Sequence, residues 1–183
     1  MDTSPRSLVE LFHLLFLAHL RERVDPSFYV VKGGCNLRFF FKSVRYSEDI
    51  DLDVHTIARD TLKAQVSKLL ASGSFIKVLR SRGLEIQGVN PVKQTDTTQR
   101  WKLQVTGPST SVPVPTKIEF SRRPSVETSV YEQIDLQLIQ SHELYPILCN
   151  HYSRDSAFLQ KASALIHRNE TQALTGLQEK LES

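Results

Sequence analysis

An alternating acidic and apolar run, Asp49–Val54, restricts the possible folds of this chain more than any other feature. Its period of two predicts a strand with three carboxylates on one face and three apolar side chains on the other. An earlier apolar run, Phe28–Val31, ends at Gly33-Gly34 and predicts a strand that enters a glycine turn. A short helix over Cys35–Phe41 would connect the two strands.

This arrangement has the residue types that phosphate and magnesium chemistry needs. Gly33 and Gly34 let backbone N–H groups approach a ligand without obstruction by Cβ, and the following helix N-terminus favours phosphate. Asp49 and Asp51 offer hard oxygen ligands for Mg²⁺ from one strand face. Glu119 is the best candidate for a third carboxylate, which would activate an attacking hydroxyl or bridge two metal ions.

Each part alone also has an ordinary structural explanation. A Gly-Gly pair after a strand is usually only a turn, and Asp-x-Asp on a strand is often a solvated face. The joint arrangement is harder to explain in that way, because three ionised carboxylates on one face repel one another. Such a face is tolerable where it is wet or binds cations, and costly where it is dry.

Length and composition indicate one globular domain, or one domain with a small appendage. The 183 residues are 40% apolar and 23% charged, which excludes disorder as the main state, and the net charge of +3 permits a nucleic-acid partner without requiring one. Cys35 and Cys149 predict neither a zinc site nor a disulfide framework. Because the most apolar stretch, Leu8–Leu20, is too short for a membrane span, we expect a cytoplasmic protein without a membrane partner.

The wider pattern predicts an α+β fold, in which strands are followed by helices. Ser4 and Pro5 begin the first helix, as its N-cap and first helical residue. A core at 1–140 and a C-terminal helical segment at 141–183 are expected. The remaining predicted elements are a helix over 56–70, strands over 74–80, 84–89, 99–105 and 114–120, and helices over 141–150, 154–168 and 170–182.

Two segments, Tyr29–Phe41 and Arg45–Asp53, resemble the signature of the AbiEii/AbiGii-type nucleotidyltransferase toxin family, of the DNA polymerase β-like nucleotidyltransferase superfamily. Thr116–Arg123 resembles the later strand of that family that bears its third acidic residue. The resemblance implies a nucleotidyltransferase-like mixed β-sheet flanked by helices. It also implies Mg²⁺-dependent transfer of a nucleotide from an NTP to an acceptor hydroxyl, in some members on tRNA. The implied setting is a type IV toxin–antitoxin or phage-defence system, with an antitoxin as partner.

Matched position by position, the resemblance implies that the catalytic and Mg²⁺-binding residues are Asp49, Asp51 and Glu119. It implies that Gly33 and Gly34 hold the triphosphate. The further candidates for nucleotide binding are Lys32, Arg38, Ser47 and Lys161.

Three of these candidates have alternative roles that the sequence leaves open. Lys32 is equally explained as a solvated strand end, Arg38 as the partner of an acidic neighbour, and Ser47 as a turn hydroxyl or a support for Asp49. Asp53 continues the acidic face and is expected to support the metal-binding pair rather than to join it.

The C-terminal segment departs from the family pattern. Where relatives continue into an Arg-Asp-x-x-Asp-type segment, this chain has Leu174-Thr175-Gly176, and we expect a segment that is truncated relative to the family. This departure keeps a second function open, a catalytically degenerate protein of the same fold that binds nucleotide or a partner. A plain RNA-binding domain is the third alternative. The sequence lacks the P-loop and protein-kinase motifs and indicates no oligomeric state.

Overall fold

The computed structural model describes residues 4–108, 110, 112–122 and 127–166. The helices are α1 (Pro5–Leu20), α2 (Gly33–Phe40), α3 (Arg59–Leu70), α4 (Gly73–Ser81), α5 (Leu136–Ser141) and α6 (154–166), with a 3₁₀ turn at Pro26–Phe28. The strands are β1 (Tyr29–Lys32), β2 (Ile50–Val54), β3 (Glu85–Gln94), β4 (Thr98–Thr106), β5 (Val114–Ser121), β6 (Ser129–Gln133) and β7 (Leu148–Tyr152).

Within the described residues, seven strands form one mixed sheet in the order β3-β4-β5-β2-β1-β7-β6. β1 is antiparallel to β2 and parallel to β7, and β2 is parallel to β5. The other neighbouring strands are antiparallel. The mixed sheet with flanking helices confirms the predicted fold class, and it places β1 and β2 at its centre, where each has a hydrogen-bonded strand on both sides.

α1 is the central helix of the core because it is apolar on nearly every side. Phe12 and Phe16 are completely buried, and the helix contacts β4, β5, α3 and α4. Ser4 caps it by accepting a hydrogen bond from the backbone N–H of Ser7, and Pro5 occupies the first turn, as the sequence predicts. Burying such side chains contributes roughly 1.5–3 kcal/mol each, which makes α1 a main source of stability.

The strand predicted over 74–80 is wrong, because this segment forms α4. Ser72 caps the helix by accepting a hydrogen bond from the N–H of Phe75. Phe75 and Leu79, one helical turn apart, are both buried, so a helix buries the pair on one face. The apolar residues between them resemble a strand, but the cap and the spacing decide the outcome.

The helix predicted over 141–150 is also wrong. α5 ends at Ser141, Glu143 has a positive φ of 52°, and Pro146 cannot donate the hydrogen bond that a continuing helix requires. β7 follows and pairs with both β1 and β6. The helix predicted over 154–168 is confirmed as far as residue 166, and the helix predicted over 170–182 lies outside the described residues.

The division into 1–140 and 141–183 stays a prediction, and it must accommodate β7, which belongs to the central sheet. Both cysteines are buried and free, with no disulfide. In the part of the chain that the structure describes, no helix combines the length and apolar character needed to cross a membrane.

Candidate active site

The three predicted carboxylates lie together on one face of the sheet. Asp51 of β2 pairs in register with Glu119 of β5, and Asp49 immediately precedes β2. The alternate residues Ile50 and Leu52 are completely buried on the opposite face. The alternation in the sequence therefore separates an acidic face from a core face, as predicted.

The glycine turn lies directly against this acidic face. Gly33 has a positive φ of 65°, and a Cβ at this position would lie 3.2 Å from Oδ2 of Asp51. A Cβ on Gly34 would lie 2.5 Å from Oγ of Ser47, whose hydroxyl donates a hydrogen bond to the carbonyl of Asp49 at 2.7 Å. The turn and the acidic pair are thus packed together through contacts that only glycine permits.

Two cations neutralise two of the three carboxylates. The backbone N–H and the ammonium group of Lys117 donate to the two oxygens of Asp49, at 3.1 and 2.8 Å. Arg100 of β4 donates through Nε and Nη2 to Oε2 of Glu119, at 2.7 and 2.6 Å. Burial alone would lower the pKa of Lys117, but the hydrogen bond to Asp49 and the charge of Asp51 raise it, so this side chain stays charged.

Asp51 differs from its two neighbours because neither of its carboxylate oxygens has a hydrogen-bond or ion-pair partner among the described residues. Burial raises the pKa of Asp51 above its ordinary value, and the nearby charge of Glu119 raises it further, against the opposing effect of Lys117. This carboxylate is therefore the one with the most to gain from a bound cation.

A buried cluster closes the acidic face beside β1. Asp53 is 5% exposed; Oδ1 accepts a hydrogen bond from the ammonium group of Lys32 at 2.5 Å, and Oδ2 accepts one from the hydroxyl of Tyr152 at 2.8 Å. With both oxygens engaged, Asp53 supports the face from the side. The phosphate contact expected of Lys32 stays a prediction, since its ammonium group is directed at Asp53.

A cleft of about 250 Å³ opens over the acidic pair. Lys161 of α6 lines it together with Gly34, Ser47, Asp49 and Asp51. α6 therefore brings Lys161 to the same cleft as the glycine turn, although more than 100 residues separate them in the sequence. Ser47 fits the supporting role, since its hydroxyl is engaged by the backbone of Asp49.

Arg38 has a different environment from the one expected of a phosphate ligand. Its Nε lies 2.5 Å from Oε2 of the buried Glu10, its Nη1 donates to the carbonyl of Ser43, and its guanidinium lies 4.5 Å from the ring centre of Tyr46. Burial would raise the pKa of Glu10, but hydrogen bonds from His142 and Arg38 lower it below the ordinary value. The ion pair that the sequence left open for Arg38 is present, and its nucleotide contact stays a prediction.

The sequence did not assign roles to Lys117, Arg100 or Tyr152. Lys117 shares a strand face with Glu119, so its position two residues earlier was a usable signal. Arg100 and Tyr152 reach the acidic face only through the pairing of β4 and β7 with distant strands, which no local pattern specifies.

The donor set fits a magnesium ion that arrives with a nucleotide. Within the described residues, no three His, Cys, Asp or Glu side chains are grouped closely enough to hold a metal as they stand. Mg²⁺ normally takes only one or two carboxylates and completes its octahedron with phosphate and water oxygens. Both oxygens of Asp51 lack a partner among the residues that the structure describes, and Asp49 lies beside it in the same cleft, so the pair meets that requirement.

A glycine turn packed against paired carboxylates, at the centre of a mixed sheet, is the arrangement of a nucleotidyltransferase fold. The family model of the nucleotidyl transferase AbiEii toxin, of type IV toxin–antitoxin systems, matches residues 15–174. The chain therefore belongs to the AbiEii family. No curated protein matches it.

The solved structures that share the fold include MenT4 and JHP933. MenT4, a nucleotidyltransferase toxin from Mycobacterium tuberculosis H37Rv, superposes with a TM-score of 0.65 at 20% identity and covers 87% of this chain and 53% of its own. JHP933 from Helicobacter pylori superposes with a TM-score of 0.55 at 16% identity and covers 88% of this chain and 57% of its own. The chain thus spans just over half the length of these two structures.

Proposed function

We propose that this chain transfers a nucleotide from an NTP to an acceptor hydroxyl, with Mg²⁺ bound by Asp49 and Asp51. The observation that carries the proposal is the packing of Gly33 against the Asp51 carboxylate, where a Cβ on Gly33 would lie 3.2 Å from Oδ2 of Asp51. This contact supports a shared site for the phosphates and the acidic pair, because a ligand held by the turn would lie beside the carboxylates.

In the proposed reaction, the acceptor oxygen forms a bond to the α-phosphorus while the bond from that phosphorus to the pyrophosphate oxygen breaks. Pyrophosphate leaves, and the hydroxyl proton passes to a carboxylate. Glu119 suits that role through Oε1, since Arg100 engages only Oε2. When bound, Mg²⁺ would supply charge stabilisation at the phosphate oxygens.

The turn and Lys161 provide binding groups for the triphosphate. Lys32 occupies the N-cap position of α2 without a side-chain cap, so the first backbone N–H groups of this helix remain available to an anion. Lys161 adds a positive charge on the C-terminal side of the cleft. These groups would orient the α-phosphate toward the acidic pair.

The direct test is incorporation of label from α-³²P-labelled NTPs into a mixture of RNAs, tRNA included, with Mg²⁺. Asp51→Asn should reduce incorporation about 100-fold or more, because a neutral amide cannot replace the carboxylate. Asp60→Asn on α3 is the matched control, since that carboxylate is exposed and, as far as the chain is described, pairs only with the neighbouring Arg59. Equal labelling by wild type and Asp51→Asn would refute the proposal.

Family membership supports a toxin that acts on tRNA or another RNA in the cytoplasm, with an antitoxin as partner and phage defence as one setting. Inducible expression of wild type should arrest growth, whereas Asp51→Asn should not. Growth arrest by both proteins at equal abundance would separate the toxicity from nucleotide transfer.

A catalytically silent nucleotide-binding protein is the second candidate. The observation that favours it is that Lys117 and Arg100 already neutralise Asp49 and Glu119. It predicts that calorimetry detects binding of Mg²⁺ with a non-hydrolysable NTP, while labelled NTP is never incorporated. Turnover by the wild-type chain excludes this candidate.

A further inference from the structure

A buried polar cluster lies directly behind Asp49 and has no part in the predicted site. It contains His13 of α1, Cys35 of α2 and Thr116 of β5. His13 and Cys35 are completely buried, and Thr116 is 4% exposed. A histidine, a thiol and a hydroxyl in such a place must satisfy one another or the backbone, because unpaired polar groups are costly in the interior.

The hydrogen bonds of the cluster specify where its protons lie. Thr116 Oγ1 donates its single proton to the carbonyl of Glu48 at 2.7 Å. The contact of 2.8 Å between Thr116 Oγ1 and His13 Nε2 therefore requires the histidine to be the donor. Nε2 of His13 therefore carries a proton, and Nδ1 lies 3.7 Å from the sulfur of Cys35.

The cluster acts on two consecutive carbonyls. Thr116 holds the carbonyl of Glu48, while the thiol of Cys35 at 3.3 Å and the hydroxyl of Ser47 at 2.7 Å donate to the carbonyl of Asp49. β2 begins only at Ile50, so residues 48 and 49 lie outside the regular strand and depend on these contacts. These contacts fix the backbone that carries the Asp49 side chain, whose two oxygens are in turn held by Lys117.

We propose that His13 is a positioning residue: through Thr116 it fixes the Glu48–Asp49 backbone and so aims the Asp49 carboxylate at the metal–nucleotide. This inference rests on the proposed function of the same site. His13 is completely buried and reaches the cleft only indirectly. One route runs through the hydroxyl of Thr116 to the carbonyl of Glu48, and a longer contact joins its ring to the thiol of Cys35, which donates to the carbonyl of Asp49.

The protonation state of His13 agrees with this role. Burial lowers its pKa to about 4, although the nearby charges of Asp49 and Glu10 raise it somewhat. At neutral pH the ring carries one proton, which matches the single donor that Thr116 requires. A protonated ring would place a second donor beside Cys35.

The test compares variants that remove the donor with variants that retain it. His13→Leu removes it, whereas His13→Gln places an amide N–H at the same distance along the side chain as Nε2. Thr116→Val and Thr116→Ser form the same comparison at the next link. We expect His13→Leu and Thr116→Val each to lower kcat about tenfold or more and to raise the Mg²⁺ concentration for half-maximal activity about fivefold. His13→Gln and Thr116→Ser should stay within about threefold of wild type.

Two further measurements separate positioning from folding. The effects of His13→Leu and Thr116→Val should be far from additive, and the double variant should be close to the worse single variant, because both changes break the link from His13 through Thr116 to Glu48. A purely structural role would lower the melting temperature and the active fraction while leaving kcat per active site and the Mg²⁺ requirement unchanged, and that result overturns the proposal. If His13→Leu does not fold, the nearly isosteric Thr116→Val decides on its own.

The failure of the inference is distinguishable from failure of the proposed function. If the wild-type chain incorporates no label, the proposed function fails. The positioning role of His13 is then tested by the affinity of the variants for Mn²⁺ with a non-hydrolysable NTP. A fivefold loss of this affinity in His13→Leu that is restored in His13→Gln supports positioning, whereas equal affinities of wild type and His13→Leu overturn it. Independently, ¹⁵N correlation spectra of the histidine rings should show the Nε2–H tautomer for His13, and the Nδ1–H tautomer would overturn the inference.

Discussion

Gly34 and Ser47 form the tightest contact between the glycine turn and the acidic strand, and their coupling can be measured. A Cβ on Gly34 would lie 2.5 Å from Oγ and 3.0 Å from Cβ of Ser47, but 3.7 Å from its Cα. Gly34→Ala in wild type must therefore push Ser47 away. Rotating the hydroxyl relieves only the first overlap, and it breaks the hydrogen bond to the Asp49 carbonyl.

The magnitude follows from opposing effects. Alanine is favoured over glycine within a helix by up to about 1 kcal/mol, while overpacking of this kind costs about 1–3 kcal/mol. We expect Gly34→Ala to destabilise the wild-type protein by about 1–2 kcal/mol. With Ser47→Gly, only the ordinary 3.7 Å contact remains, so the same change becomes neutral or stabilising. With Ser47→Ala, the 3.0 Å contact persists and the effect should lie between the two.

The assay is urea unfolding of the four proteins of the double-mutant cycle and of the Ser47→Ala pair. The coupling between Gly34→Ala and Ser47→Gly should reach about 2 kcal/mol. Gly73→Ala at the start of α4 is the control, because no atom of the described residues lies within 4 Å of its added Cβ, and it should be neutral or stabilising. A coupling below about 0.5 kcal/mol, or equal effects in all three Ser47 backgrounds, would refute the packing of the turn against this segment.

Three further predictions concern other groups. Burial lowers the pKa of His13 from 6.5 to about 4 in the folded chain, so as the pH falls the unfolded state binds a proton first. The free energy of unfolding should therefore decrease by up to about 3 kcal/mol as the pH is lowered from 6.5 to 4. Unfolding midpoints measured against pH should lose this part of the slope in His13→Gln, and an unchanged slope contradicts the assignment. Arg38→Met leaves the buried carboxylate of Glu10 without its guanidinium, so urea unfolding should show a loss of about 3 kcal/mol, and a loss below about 1 kcal/mol contradicts it. Lys161→Ala should raise the KM for NTP about tenfold in steady-state kinetics at an unchanged melting temperature, and an unchanged KM would remove this lysine from the nucleotide site.

The centre of the fold could be predicted from the sequence because local pattern determines it. Gly33 needs its positive φ, and the acidic and apolar residues of β2 alternate without interruption, so turn, strand and face follow from nearest neighbours. The sequence pattern gave the wrong prediction at α4, because the five consecutive apolar or long side chains at 75–79 fit a strand as well as a helix. The cap by Ser72 and the burial of Phe75 decide between them.

The acidic residues and glycines of the candidate site could be predicted from the sequence, whereas the side chains that pair with those acids could not. The partnership of Arg100 with Glu119 depends on the register of β4 against β5, and a shift by one residue would turn Arg100 to the other face. The chain between the strands does not encode that register locally. The same reasoning applies to Tyr152, which reaches Asp53 only because β7 lies beside β1.

The position of β7 between β1 and β6 also has a consequence for synthesis on the ribosome. Until residue 152 has emerged, β1 has a free edge whose N–H and C=O groups are open to pairing with another nascent chain. During the same interval, the Asn36 amide lacks the backbone carbonyl of Tyr152 as its acceptor, and the Asp53 carboxylate lacks the hydroxyl of Tyr152 as a donor. A translation product that stops before β7 therefore carries every acidic residue of the cleft, but it exposes an unpaired strand edge that favours aggregation.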